Sequence, residues 1–187
     1  MFYEPDKRNH GLPRDPFKAL VVPRPIGWIS TLDRDGRPNL GPYSFFNGVA
    51  TDPPCVMFAS SLRPRERTRK DSQTNAEATG EFVVNLATFA QREAMNASSA
   101  ALPYGESEFA AAGLETLPSR LVKAPRVKGA RAHLECVYLK TVDLPPARGG
   151  DQNFMVLGRV VGIHIDDETH VHRLPDHVRR ALHARRE

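Results

Sequence analysis

The sequence predicts a mainly β fold, a closed and mostly antiparallel barrel carrying a few short helices. Three observations lead there. Six or seven strand-like runs occur without the regular strand–helix alternation of a doubly wound sheet. Asp33-Arg34-Asp35-Gly36 joins two of those runs as a tight hairpin, because Asp-Gly supplies the positive φ that such a turn needs. No Gly-x-Gly-x-x-Gly opens a helix after a strand, so a dinucleotide-binding α/β domain is excluded.

The elements follow in order. Residues 1–16 are rich in proline and charge and read as an arm. Residues 28–32 form a strand and residues 37–46 return from the hairpin. That return strand loses its alternation at Gly41 and Pro42 and runs into Tyr43-Ser44-Phe45-Phe46-Asn47. A strand built only for packing alternates apolar and polar residues, so the change points to groups kept for a ligand. Asp52-Pro53-Pro54 breaks the chain and residues 54–60 form the next strand. Thr68 and Asp71 have capping-box spacing and predict a helix start, with Gly80 as its stop. Residues 82–86 form a strand, 88–97 are helical, and 107–112 form a short helix stopped by Gly113. Two long strands close the domain. In residues 131–142 Ala132, Leu134, Cys136, Tyr138 and Val142 share a face, interrupted by Lys140. In residues 153–165 Met155, Leu157, Val161, Ile163 and Ile165 form the apolar face, interrupted by Arg159. The Pro145–Gly150 segment between them reads as a mobile loop. Residues 168–187 read as a polar C-terminal extension, partly helical.

Composition narrows the class. The chain has 187 residues, 40% hydrophobic and 26% charged, as in an ordinary globular domain with one sizeable core. No apolar run approaches the roughly 20 residues that cross a bilayer. The N-terminus is charged and has no apolar signal core, so a cytoplasmic location is expected. Cys55 and Cys136 sit in apolar strand-like runs and read as buried free thiols, and neither belongs to a C-x-x-C pair. The net charge of +4 comes from a cluster at Arg63, Arg65, Arg67, Arg69 and Lys70 and from the tail at Arg179, Arg180, Arg185 and Arg186. No nucleic-acid motif accompanies them. A small anion explains the first cluster more economically, and a solvated helix face explains the second.

The chemistry centres on the helix that starts near residues 68–72. A helix N-terminus offers free N–H groups and a partial charge of about +0.5. With Arg69 and Lys70 beside it and the hydroxyls of Ser60, Ser61 and Ser72 nearby, it is a candidate phosphate site. A capped, solvent-facing helix with ordinary surface charge explains those residues equally well when they are taken alone.

Several motifs in order decide between the two. RPIGWIST, GRPNLGPYSFFNGVATDPP and RKDSQTNAEATGEFVVNLAT, with GESEFAAAGLE, HLECVYL and VLGRVVGIHI later, resemble the flavin reductase-like, FMN-binding split-barrel family that includes flavoredoxin-type proteins. The resemblance covers roughly residues 17–167. It implies a six-stranded antiparallel split β-barrel that forms a homodimer, with flavin, usually FMN with FAD as the alternative, near the interface. Matched residue by residue, it implies that Ser30 and Thr31 lie near the isoalloxazine. Asn39 and the run Ser44, Phe45, Phe46 and Asn47 would lie against the ring and ribityl chain. Ser60, Ser61, Arg69, Lys70, Asp71 and Ser72 would surround the phosphate. The KDS segment departs from the more common KDT of the family by one methyl group.

Other residues read more plainly. Trp28 is a core residue. Phe45 and Phe46 point to opposite faces, so at most one meets a ligand. His164 shares a face with Gly158 and Gly162, which leaves room for a flat group, although a structural histidine is the simpler reading. His170 and His172 lack partners for a metal site. Asn96-Ala97-Ser98 matches a glycosylation pattern that means little without secretion. No catalytic acid–base pair is expected, because a flavin carries its own redox chemistry. The leading expectation is an NAD(P)H-dependent flavin reductase, taking hydride from NADH or NADPH and serving a partner monooxygenase or other acceptor. The alternative is an FMN-binding electron carrier without a nicotinamide site.

Overall fold

The Asp-Gly turn folds β1 (Gly27–Leu32) onto β2 (Pro38–Tyr43) with Thr31 opposite Asn39. Asp33 closes that turn: its Oδ1 accepts the amides of Asp35 and Arg37, both at 2.9 Å, and its Oδ2 accepts Arg37 Nε at 2.6 Å. Burial opposes the Asp33 charge, but these donors outweigh it and hold the carboxyl below the usual carboxylate range. The computed structural model describes residues 1–63, 66–103, 106–147 and 149–167. The basic tail, His170, His172, Arg65, Tyr104, Gly105 and Arg148 lie outside the described residues.

The predicted return strand is two strands. β2 stops at Tyr43, the chain bends at Ser44 and Phe45, and β3 (Phe46–Thr51) pairs with β4 (Pro54–Ser61) instead of β1. Then come α2 (Asp71–Thr79), β5 (Glu81–Leu86), a 3-10 turn at Phe89–Gln91, α3 (Arg92–Ala97) and α4 (Glu108–Ala111). A two-stranded ribbon, β6 (Thr116–Leu117) and β7 (Arg126–Val127), precedes the long β8 (Ala132–Leu144) and β9 (Asn153–Ile165). A four-residue helix, α1 (Phe17–Leu20), ends the N-terminal arm. All pairings are antiparallel, in the order β2-β1-β5-β8-β9-β4-β3. The main sheet therefore has seven strands among the described residues, one more than the six expected, because β3 is a strand in its own right.

The barrel interior holds Ile29, Tyr43, Phe46, Phe58, Phe82, Val84, Cys136, Val156 and Val160, and Ala76 of α2 packs against them. A second cluster on the outer face joins Trp28, Leu40, Phe109, Val127 and Ala130. Trp28 is fully buried there, its Nε1 donating to Ser98 Oγ at 2.9 Å. Burial pushes the Cys136 thiol up, and Cys55 is half-buried; both are free.

Three expectations are corrected. The inward face of β9 is the even set, Phe154, Val156, Gly158 and Val160, while Ile163 and Ile165 are 58% and 46% exposed. Both faces of that strand are apolar, so periodicity had no contrast to read. The space beside Gly158 is filled by the protein itself: a Cβ there would stand 2.4 Å from Phe82 Cζ. In β8 the expected face holds for Leu134, Cys136 and Tyr138, which pack on the core, and ends where Leu139 is an extra residue between Tyr138 and Lys140. Finally, α2 begins at Asp71 with Lys70 as its N-cap, and no side chain caps it, so Thr68 is not the cap. Gly80 does end it, with φ 79° and its amide on Ala76 O.

A strap over residues 118–125 crosses the outer face, with Val122 and Ala124 packed on Val83. Two carboxylates bind five consecutive amides of this strap. Glu135, fully buried, accepts Arg120 N at 2.8 Å, Leu121 N at 2.6 Å and Val122 N at 3.2 Å; Glu81 accepts Lys123 N at 2.6 Å and Ala124 N at 3.0 Å. His164 Nε2 completes the set on Glu135, which gives that histidine a structural role.

Candidate functional site

The bend after β2 and the start of α2 meet at one end of the barrel. Lys70 stands at the helix N-cap with its Nζ 5.6 Å from the Tyr43 ring centre. The first amides of a helix have no acceptor within it, so Lys70 and the Asp71 and Ser72 amides form a positive mouth. Among the described residues three cations stand near that mouth, and two of them are neutralised. Arg63 is paired with Asp71 and donates to Leu102 O at 2.9 Å. Arg69 is paired with Glu77 at 2.6 Å and lies over the Phe154 ring at 4.9 Å. Lys70 pairs with no carboxylate among the described residues. Burial, reinforced by the Arg63 charge, lowers its pKa. A half-buried cation facing another cation is a site that an anion stabilises.

Below the mouth lies a buried polar network. Ser72 Oγ donates to Asn39 Oδ1 at 2.9 Å, and Thr31 Oγ1 lies 3.3 Å from the same oxygen. Asn75 Nδ2 donates to Thr31 Oγ1 at 3.1 Å. Asn39 Nδ2 and the Leu40 amide both donate to Glu108 Oε2, at 2.8 and 3.0 Å. Burial raises the Glu108 pKa despite those two donors. Burial pushes the Tyr43 phenol up to about 12, with the Ser72 and Ser60 side chains beside it.

The expected site residues are therefore distributed as follows. Thr31, Asn39 and Ser72 share the network, and Ser60, Ser61, Lys70 and Asp71 stand at or beside the mouth. Ser30 faces the other way along β1, where Asn85 Nδ2 donates to it at 3.0 Å. Phe46 is a core side chain, 8% exposed. Phe45, half-buried, stacks on Phe17 at 6.5 Å with Arg24 over it at 5.4 Å. Ser44 is half-buried at the bend, and Asn47 is exposed with its Oδ1 on the Gly48 amide. Asn75 and Glu108 were not singled out in the sequence, whereas Tyr43 stood in the run read as a ligand wall and Arg63 in the basic cluster read as an anion site. Alternation through β2 does point Tyr43 inward, whereas nothing local sets Glu108 against Asn39, 69 positions away.

A small, open cleft lies beside Asn39, lined by Asp33, Arg37, Pro38, Asn39, Asp71, Asn75 and Glu106. Three carboxylates against one guanidinium make it unsuitable for a phosphate dianion. No described helix is long and apolar enough to cross a membrane. Among the described residues no group of three or more His, Cys, Asp or Glu is placed to hold a metal.

Comparison with known proteins agrees with the architecture. An uncharacterized protein of Aquifex aeolicus is 45% identical over 124 residues, 66% of this chain and 63% of the relative, so the match spans less than two thirds of that relative's length. Nitrilotriacetate monooxygenase component B from Bacillus cereus superposes with a TM-score of 0.79 at 31% identity, covering 90% of this chain and 82% of that one. A split barrel domain structure from Shewanella frigidimarina superposes with a TM-score of 0.71 at 24% identity, covering 89% and 81%, and shows the fold. The barrel is thus a split barrel. The flavin reductase like domain model matches residues 19–183, and the chain belongs to that family.

Proposed function

We propose that the chain binds FMN and works as an NAD(P)H-dependent flavin reductase. The observation that carries this is Lys70, a half-buried cation without an acidic partner among the described residues, at an uncapped helix N-terminus beside Ser60 and Ser61. Those groups fit a phosphate dianion: a charge-assisted bond from Lys70 and free amide donors neutralise it without moving the backbone. The bend at Ser44 and Phe45 then offers a wall for the isoalloxazine, with Phe45 as its apolar face. When bound, FMN supplies a ring that accepts hydride from a nicotinamide and returns the electrons to a second acceptor. The chain's own residues bind and orient, and the buried network from Thr31 to Glu108 fixes the wall behind them.

A homodimer completes the site in this reading. β3 is exposed along nearly its whole length, and Phe17, Leu20, Val22 and Val49 are 50–73% exposed beside the bend. A second copy covering this surface would close the slot that one chain leaves open. The component B relative from Bacillus cereus, at 31% identity, supports a partner monooxygenase as the electron acceptor.

The test is titration of the purified protein with FMN, followed by rapid mixing with NADH and with NADPH. Bound flavin that bleaches with either nicotinamide supports the reductase. Flavin that binds but is bleached only by a reduced partner protein supports the carrier. Absence of FMN binding overturns both.

A further inference from the structure

We propose that Arg24 binds the pyrimidine edge of the flavin ring and holds the reduced ring more tightly than the oxidised one, so that this residue sets the redox potential of the bound flavin. This rests on the ring placement proposed above. The arm before β1 brings Arg24 to the bend, where its NH1 donates to Lys18 O and, at 2.7 Å, to Val21 O. Its Cζ stands 5.4 Å from the centre of the Phe45 ring, the side chain placed at the wall. Clasping the arm in this way uses one nitrogen of three. Nε is buried and has no acceptor among the described residues. NH2 makes no hydrogen bond among the described residues, and no carboxylate among them pairs with the guanidinium.

A buried donor left without an acceptor is costly, so the free side of Arg24 calls for a partner that reaches a position shielded from water. The flavin ring suits it. The ring is flat and largely apolar, so it can lie against Phe45 and still present acceptors at its rim, N1 and the C2 oxygen among them. The Nε–NH2 side of a guanidinium is a planar fork that matches two such acceptors side by side. Charge then separates the two redox states. When a nicotinamide passes its hydride to the ring, its C–H bond breaks, an N–H bond forms at N5, and two electrons arrive with one proton. The nicotinamide leaves as a cation, and the ring holds one added negative charge shared by N1 and the C2 oxygen. A guanidinium at that edge, in a slot of low dielectric, attracts this ring more strongly than the neutral one. Lys70 makes no such distinction, since the phosphate carries the same charge in both states.

The experiment measures the affinity for oxidised FMN by fluorescence titration and the two-electron potential of bound FMN by dye equilibration, at one mildly alkaline pH. The proteins are the wild type, Arg24→Gln, Arg24→Lys and Lys70→Ala, with Tm as the check on folding. Arg24→Gln should weaken binding of reduced FMN about tenfold more than binding of oxidised FMN, which lowers the potential by about 30 mV. Arg24→Lys keeps the charge and should recover most of that difference. Lys70→Ala should weaken both states alike and leave the potential where it is. An arginine that merely clasped the arm would also weaken both states alike. A reduced-to-oxidised affinity ratio in Arg24→Gln that stays within about twofold of the wild type therefore overturns the proposal. An equal fall in the potential of Lys70→Ala overturns it too, because the effect would then belong to the positive surface as a whole. Should Arg24→Gln fail to fold, Arg24→Met takes its place with the same outcomes. A wild type that binds no FMN overturns the reading on which this one rests.

Discussion

Replacing Glu135 by Gln tests the reasoning about buried charge most sharply. Both carboxylate oxygens are used: Oε1 accepts Arg120 N and His164 Nε2, and Oε2 accepts Leu121 N and Val122 N. A glutamine amide fits the same volume, but its NH2 must face at least one strap amide, donor against donor. The variant therefore loses at least one charge-assisted bond, about 1.5–3 kcal/mol, and leaves at least one buried N–H unsatisfied, about 1–3 kcal/mol. The expected loss is about 2.5–6 kcal/mol, read as a lower urea midpoint at unchanged slope. The pH dependence carries a second check. Burial raises the Glu135 pKa, but the Arg120 amide, His164 and the Leu121 amide more than offset this and hold the carboxyl below its ordinary 4.5. A carboxyl lowered on folding stabilises the fold above its unfolded pKa, and that stability is lost as pH falls through the folded value. The wild-type and Glu135→Gln midpoints should thus differ at pH 7 and draw together as pH falls below the ordinary 4.5. A difference under about 1 kcal/mol at pH 7, or one that persists undiminished at pH 3, would refute the account of the strap.

Glu108 should behave in the opposite way. Only Oε2 has donors there, one amide oxygen can accept both, and the raised pKa means protonation favours the fold, so its contribution is present at low pH and lost as pH rises. Glu108→Gln should change stability by less than about 1 kcal/mol at pH 7, and a large loss in a urea titration would show that its charge is needed. Lys70→Ala should weaken FMN binding by about 1.5–3 kcal/mol; unchanged affinity in a titration would put the phosphate elsewhere. Gly158→Ala drives a methyl into the Phe82 ring and should cost about 1–3 kcal/mol of stability, with a wild-type Tm as the contrary result.

Legibility was uneven along the chain. The hairpin at Asp33–Gly36, the helix ending at Gly80 and the long final strands were readable because turn chemistry and helix stops are local. The family resemblance implied Thr31 and Asn39 at the flavin ring and ribityl chain and Ser60, Ser72 and Lys70 at the phosphate, whereas the structure joins Thr31, Asn39 and Ser72 in one buried network. What it gave no means to see was their accounting. Arg69 and Arg63 look as available as Lys70 in sequence, yet Glu77 and Asp71 neutralise them. Ser30 and Thr31 are adjacent letters on opposite faces of β1, one held by Asn85 and the other by Asn75.

By itself the sequence determined the strand-and-turn pattern, the helix stop at Gly80 and the family, since these depend on residues close together in the chain. The tertiary structure alone decided which apolar face of β9 turns inward, that Lys70 has no carboxylate partner among the described residues, and that Glu135 binds a strap 13 to 15 residues away. Those outcomes depend on which groups meet across strands, and burial assigns a charge its partner only once the barrel has closed.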